Sequence, residues 1–246
     1  MRQTLAGGSH GRTGFPPLRQ KKVARMGHGD FVVEILGNAP ERRMFPFDVI
    51  LFDVGGVLLT NGWDHRERAV VAKQFNLDLA ELEWRHAAHY DAWERDAINV
   101  DAYLDAAVFY EPRSFSRAEF FDAICAQSVE LPDGALGILN EVATGCNCLV
   151  GALNNEARET NDYRFEKFGL RDVFDVALSS CYLGMRKPEA AIYKRALDIL
   201  GRPGQRVLFI DDRPENVAEA VGVGMKGIVF KRADALRSEL AGLGVL

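Results

Sequence analysis

The chain has no apolar run near the roughly 18 residues that a membrane-spanning helix needs, so nothing in its hydropathy points to a membrane partner. It has no internal repeat and no low-complexity tract, which sets aside solenoid and fibrous architectures. Cysteine is scarce, with four in 246 residues (Cys125, Cys146, Cys148, Cys181). Their spacing matches no zinc site. Cys146-Asn-Cys148 lies in or beside a predicted strand, so buried reduced thiols are expected, as in a cytoplasmic enzyme. Charge of one sign is also lacking. A net charge of −5 argues against a nucleic-acid partner, and neutral small molecules or metal-bound anions fit it as well. Hydrophobic residues at 48% and charged residues at 26% are ordinary for a soluble globular protein acting as a monomer or homodimer.

Acidic residues are missing from the first 29 positions, which hold Arg2, Arg12, Arg19, Lys21, Lys22 and Arg25. An Arg-rich, acid-poor leader is one feature of a transit peptide. Scarce serine and the breaks at glycines and Pro16-Pro17 speak against it. Residues 1–45 are therefore expected to be a disordered extension, with Met26 an alternative start and Phe31–Leu36 an optional edge strand.

From residue 46 onward strand and helix signals alternate, which implies an α/β fold with a doubly wound parallel sheet. Four apolar runs end on polar residues: Val49–Phe52 before Asp53, Cys148–Leu153 before Asn154, Val176–Leu178 before Ser179-Ser180, and Val207–Ile210 before Asp211-Asp212. A fifth, Gly227–Phe230, completes the sheet. Helices are marked over Glu156–Phe168, which stops at Gly169, and over Glu189–Leu200, behind Pro188 and stopped by Gly201. Another opens at Pro214. Residues 63–141 break the alternation. They carry amphipathic helices and no convincing strand, including one announced by the capping-box pattern Ser116-Arg-Ala-Glu119. This block is expected to be an inserted helical cap, with 46–62 and 142–246 forming the core. Most of its aromatics (Trp84, Tyr90, Trp93, Tyr103, Phe109, Tyr110) should fill the cap's own interior.

In a doubly wound sheet the carboxyl ends of the strands converge on one crevice. That gathers Asp53, Asn154, Asp211, Asp212 and, from the loop after the third strand, Lys187. Taken singly each has a plainer reading: an Asp-Gly turn, a helix start, a helix N-cap. Their conjunction, in order and at strand ends, is what carries weight. Crowded carboxylates repel, and Mg2+ relieves this while keeping room for waters and phosphate oxygens. A carboxylate nucleophile, a hard cation and a lysine are the parts of phosphoryl transfer through an aspartyl-phosphate.

From about Phe47 to Phe230 the sequence resembles the haloacid dehalogenase-like (HAD) hydrolase superfamily, specifically subfamily I, with a helical cap after the first strand. The resemblance rests on Phe52-Asp53-Val-Gly-Gly-Val-Leu58, Leu153-Asn154-Asn155, Gly184-Met-Arg-Lys187-Pro188-Glu-Ala-Ala-Ile-Tyr193 and Phe209-Ile-Asp211-Asp212-Arg-Pro-Glu-Asn216. It implies that Asp53 is the nucleophile and that Lys187 steadies the phosphoaspartate. It places Asn154, with Asn155 beside it, against a phosphate oxygen. Magnesium would be held by Asp53, the Gly55 carbonyl and the side chain of Asp211 or Asp212.

Two positions depart from the family pattern. Gly55 stands where phosphatases of the family carry a second aspartate, the acid for the leaving group. Such a group is worth roughly 10²–10⁴-fold in rate. Asn154 stands where serine or threonine is usual, a milder change because an amide still donates to phosphate. The Asp-x-Gly pattern is similar to a branch that includes sugar-phosphate phosphatases. The expected function is a magnesium-dependent phosphatase of a small phosphorylated metabolite. It should favour good leaving groups, unless His86 or His89 of the cap supplies the acid. A catalytically weak binding protein and a metal-free 2-haloacid dehalogenase are the rivals. Asp211-Asp212 speaks against the latter.

Overall fold

The computed structural model describes residues 45–246; the expectations for residues 1–44, including the strand at Phe31–Leu36, lie outside the described residues. The first strand is β1 (Val49–Phe52). Five helices follow: α1 (His65–Gln74), α2 (Leu79–Glu94), α3 (Val100–Ala107), α4 (Arg117–Ala126) and α5 (Leu136–Gly145). Then come β2 (Leu149–Ala152), α6 (Arg158–Lys167), α7 (Leu170–Val173), β3 (Val176–Ala177), α8 (Ser180–Leu183) and α9 (Ala190–Leu200). The chain closes with β4 (Val207–Asp211), α10 (Pro214–Gly222), β5 (Lys226–Val229) and α11 (Ala233–Gly242).

The five strands form one parallel sheet in the order β3-β2-β1-β4-β5, a doubly wound α/β fold. Every residue of β1 is buried, and successive side chains serve opposite faces. Ile50 and Phe52 join Val150, Leu208 and Ile210 in a core covered by Leu139 and Val142 of α5, Phe165 of α6, and Leu236 and Leu240 of α11. Val49 and Leu51 join Val207 and Phe209 beneath Ile192, Tyr193 and Ala196 of α9 and Ala220 of α10. A strand apolar at every position is thus one sandwiched between two helical layers.

Helices α1–α4 have a third core of their own, built on Val71, Leu82, Trp93, Tyr103, Leu104, Phe120 and Ile124. Local signals set their starts. Asp78 and Asn99 accept from the backbone N–H three residues on, each at 2.9 Å. Ser116 and Glu119 close the capping box expected there. Helix α5 instead packs on the sheet, so position 141 falls inside a sheet-covering helix. Two connectors run side by side between these layers, with Thr60 N–H donating to Val129 C=O at 2.9 Å and Leu131 N–H to Leu58 C=O at 3.1 Å.

One reading of the sequence is corrected here. Cys146 and Cys148 are joined in a disulfide, with Cα atoms 5.4 Å apart, inside the range such a bond requires. The chain bends at Asn147 and Cys148, which brings the two sulfurs together. Cys125 and Cys181 are free and buried, so the thiol argument for a reducing compartment rests on these two alone. Among the described residues no helix is long and apolar enough to cross a membrane.

Candidate active site

Register carries the site. Phe52 pairs with Ala152 on one side and Ile210 on the other, so Asp53, Leu153 and Asp211 emerge level at the carboxyl edge. Strand order reverses between β1 and β4, and in such sheets ligands bind at that switch point. Asp53 is almost fully buried, and the Val54 N–H donates to its Oδ1 at 2.8 Å. Lys187, on the loop before α9, is buried to 3% exposure. Its Nζ lies 2.9 Å from Asp53 Oδ1 and 2.6 Å from Asp211 Oδ2. The Asn155 amide clasps the lysine's backbone, accepting from Lys187 N–H at 2.9 Å and donating to Lys187 C=O at 2.8 Å. Asp211 also accepts from the Arg213 N–H at 2.8 Å and from Asn216 Nδ2 at 2.9 and 3.0 Å.

These contacts sort the carboxylates. Burial pushes Asp53 up to about 7; Lys187 opposes this, and the charges of Asp211 and Asp212 reinforce it. Burial also opposes ionisation of Asp211, yet Lys187, the Arg213 N–H and Asn216 hold its carboxyl below the usual carboxylate range. Burial and then the Asp211 charge raise Asp212. Carboxylate oxygens of Asp53, Asp211 and Asp212 all lie within 4.8 Å of one another. Asp212 Oδ1 is buried with no hydrogen-bond partner among the described residues, a cost that a cation would remove. The donor set, all oxygen and all acidic, suits a hard divalent ion. The tight turn beyond Asp53 is shaped to this cluster. Gly56 has φ +72°, and a Cβ there would sit 2.2 Å from Asp212 Oδ2.

Above the strand ends lies a cavity of about 500 Å³ whose wall combines Asp53, Gly55, Asn155 and Lys187 with residues from α1 and α2. Arg68, nearly buried, pairs with Glu83 through Nε at 2.9 Å and Nη2 at 2.8 Å. Arg186 pairs with Glu94 at 2.5 Å and with Asp91 at 3.1 Å, its guanidinium 4.7 Å from the Tyr90 ring centre. Burial raises Glu94 to about 6, opposed by Arg186. Behind the wall, Arg164 is buried, pairs with Glu156 and donates from Nη2 to the Thr60 C=O at 2.6 Å.

The structure brings Asp53, Gly55, Asn155 and Lys187 to one cavity; Asp211 and Asp212 cluster with Asp53 but are not among the residues lining it. Asn154 does not line that cavity. Its amide donates to Asn161 Oδ1 at 2.9 Å and accepts from Ser179 Oγ at 2.8 Å, tying the β2 and β3 loops together. His86 lines the wall, but its Nε2 lies 3.0 Å from Arg68 Nη1 and its Nδ1 2.8 Å from Tyr103 Oη. Burial, then the Arg68 charge, lowers it to about 3. A histidine that is neutral with both nitrogens engaged is no proton donor. His89 is not among the lining residues. Of the aromatics, Trp93 and Tyr103 fill the helical core and Tyr90 faces the cavity, while Trp84 and Tyr110 are exposed. Sequence reasoning passed over Asn61, Arg68, Glu94, Arg164 and Arg186. Asn61-Gly62 carried a turn signal, but nothing showed where the turn would fold.

Comparison with known proteins gives a family match over residues 47–224, to haloacid dehalogenase-like hydrolase. The chain is 39% identical over 190 residues to the sesquiterpene phosphatase astK of Aspergillus oryzae, covering 74% of this chain and 89% of that protein. It is 38% identical over 80 residues to flavin mononucleotide hydrolase 1 of Arabidopsis thaliana, covering 32% of this chain and 33% of that one. The chain therefore spans about a third of the length of that relative. A HAD family enzyme from Bacteroides thetaiotaomicron, solved with magnesium and inorganic phosphate, superposes with TM-score 0.66 at 21% identity, over 76% of this chain and 95% of that structure. At that identity the likeness is one of fold.

Proposed function

The chain belongs to the haloacid dehalogenase-like hydrolase family, and from that premise we propose that it is a magnesium-dependent phosphatase working through an aspartyl-phosphate at Asp53. The observation that carries the reading is the arrangement of Asp53, Lys187 and Asp211 at the switch point, with a buried Asp212 oxygen beside them that has no partner among the described residues. Asp53, the Gly55 carbonyl and Asp212 would hold the cation, and Asp211 would serve mainly to anchor Lys187 and Asn216. A magnesium ion held there would supply positive charge to the phosphoryl oxygens and favour the ionised, nucleophilic form of Asp53.

Lys187 offsets charge on the phosphoryl group as a fixed point cation. Asn155 keeps its backbone in place. Asp53 Oδ forms the new bond to phosphorus as the ester oxygen leaves with its electron pair. Water then releases inorganic phosphate and regenerates the carboxylate. Helices α1–α4 act as the cap of a subfamily I enzyme and supply the upper wall of the cavity.

The wall speaks to the substrate. Arg68 and Arg186 are matched by Glu83 and Glu94, and Arg213 lies 3.5 Å from Asp64, so charge for the phosphoryl group would come from Lys187, which already neutralises Asp53, and from the cation. Charged and amide side chains dominate the lining, with Trp63 and Tyr90 among them. This favours a compact hydroxylated leaving group over the hydrocarbon that the Aspergillus oryzae relative's name implies for that enzyme. The test is a panel of phosphomonoesters assayed with magnesium, with EDTA and with Asp53→Asn. Phosphate release should need the metal and vanish in the variant. Turnover that survives in Asp53→Asn would sink the reading, and halide release from 2-haloacids without metal would transfer it to the dehalogenase rival.

A further inference from the structure

Gly55 leaves no vacancy. A Cβ built on it would lie 3.0 Å from Asn61 Oδ1 and 3.4 Å from Asn61 Cα, with Arg164 Nη2 beyond at 3.9 Å. The Oδ1 end of the Asn61 carboxamide thus stands in the space in which a side chain at position 55 would begin, and Asn61 lines the same cavity as Asp53 and Lys187. We propose that Asn61 is the residue that meets the leaving-group oxygen, aligning it without supplying a proton and so restricting turnover to esters that depart unaided. The inference rests on the phosphatase reading and adds to it the selector of the leaving group.

The turn that carries Asn61 is fixed from behind. Arg164, buried and paired with Glu156, holds the Thr60 carbonyl. Thr60 Oγ1 donates to the Gln127 C=O at 2.7 Å, and the Asn61 carbonyl accepts from the Trp63 N–H at 2.9 Å. Gly62 follows at φ +74°, and a Cβ there would press within 3.0 Å of Arg164 Nη1. Anchored on both sides, the backbone of this turn keeps Asn61 beside Gly55.

Its chemistry follows from its atoms. An amide NH₂ donates a hydrogen bond to developing negative charge, yet it holds its protons across the working pH range. When the Asp53–phosphorus bond forms and the phosphorus–ester bond breaks, the departing oxygen keeps the electron pair. Stabilised by Asn61, it takes its proton from water. Anomeric, aryl and acyl leaving groups tolerate this, and simple alkoxides do not. Four of the other acids on the wall are engaged elsewhere: Glu83, Glu94 and Glu156 each with an arginine (Arg68, Arg186, Arg164), and Asp64 with the start of α1 and Arg213; Glu215 of α10 also lines it.

The experiment compares the dependence of kcat/KM on leaving-group pKa, across aryl and alkyl phosphates with magnesium. The proteins are wild type, Asn61→Asp, Gly55→Asp, and Gly55→Asp with Asn61→Gly, beside an Asp53→Asn control. Wild type should show a steep dependence. Asn61→Asp should flatten it, gaining roughly tenfold or more on alkyl esters relative to aryl ones, the lower part of the range for a positioned acid. Gly55→Asp alone should gain nothing, because its side chain meets Asn61, whereas the double variant should gain. A flat dependence in wild type would overturn the inference and leave the phosphatase reading standing. So would a gain in Gly55→Asp equal to that of the double variant, or equal changes on both ester classes in Asn61→Asp. Phosphate release no greater than in Asp53→Asn, from every ester and every variant, would overturn both.

Discussion

Replacing Lys187 by methionine keeps the length of the stem and deletes the one charge shared by Asp53 and Asp211. Breaking a buried ion pair from one side costs about 3–5 kcal/mol. Here Nζ touches both carboxylates, at 2.9 and 2.6 Å, from a side chain with 1% exposure. Protonation limits the cost. Asp53 already stands at about 7 with the lysine present; without it the carboxyl keeps its proton at neutral pH. Asp211 retains the Arg213 N–H and Asn216. The expected loss at pH 7 is therefore near the lower bound, about 3 kcal/mol.

The sign with pH follows. Asp53 in the folded variant is raised further above its unfolded value. Stability from this group is complete below the unfolded pKa and is lost as pH rises towards the folded one. Between pH 6 and 8 the variant should lose up to about 1.4 kcal/mol per unit. Urea denaturation in EDTA at pH 6, 7 and 8, repeated with saturating magnesium, measures it. Magnesium should stabilise Lys187→Met more than wild type, because the ion restores positive charge beside Asp53 within the same carboxylate cluster. A loss below about 1 kcal/mol in EDTA, unchanged from pH 6 to 8, would refute the claim that this lysine neutralises two buried carboxylates.

Gly56→Ala should act through Asp212. The new Cβ would lie 2.2 Å from Asp212 Oδ2, at a φ of +72° that already disfavours a side chain. Magnesium affinity by calorimetry should fall about 10- to 100-fold, as when support for a metal ligand is lost; unchanged affinity would remove Asp212 from the metal site. His86→Gln should flatten acid destabilisation. The folded histidine is lowered to about 3, while the unfolded one takes a proton below about 6.5. Stability is thus present above that value and lost as pH falls through it. From pH 7 to 5 wild type should lose about 2 kcal/mol more than the variant in urea midpoints, and parallel losses would show His86 to be accessible.

What was legible in the sequence was local and periodic. Val49–Phe52 could be read because every residue is apolar and a carboxylate ends the run; Ser116 and Glu119 could be read because a capping box spans three residues. The same kind of pattern gathered Asp53, Lys187 and Asp211-Asp212 at one edge, since parallel strands place their carboxyl ends together whatever the connections do. Asn154 failed this logic for a tertiary reason. It sits at a strand end like the others, but Asn161 and Ser179, 7 and 25 residues away, take both ends of its amide. The Cys146–Cys148 bond was missed because the sequence gives spacing, not the backbone path that aims the two sulfurs.

Gly55 shows most clearly where sequence ends and structure begins. In sequence it is a subtraction, a position that holds no acid. In the fold it is one half of an exchange, because removing the side chain makes room for Asn61, six residues on and pinned by an arginine 104 residues from Thr60. A missing catalytic carboxylate and a replaced one call for different repairs. If the space were empty, Gly55→Asp would restore an acid by itself. With the Asn61 amide already there, an added carboxylate at position 55 meets its Oδ1 at the first atom, so an acid enters either in place of Asn61 or at position 55 once Asn61 is cut back, and the chemistry here is set by two residues jointly.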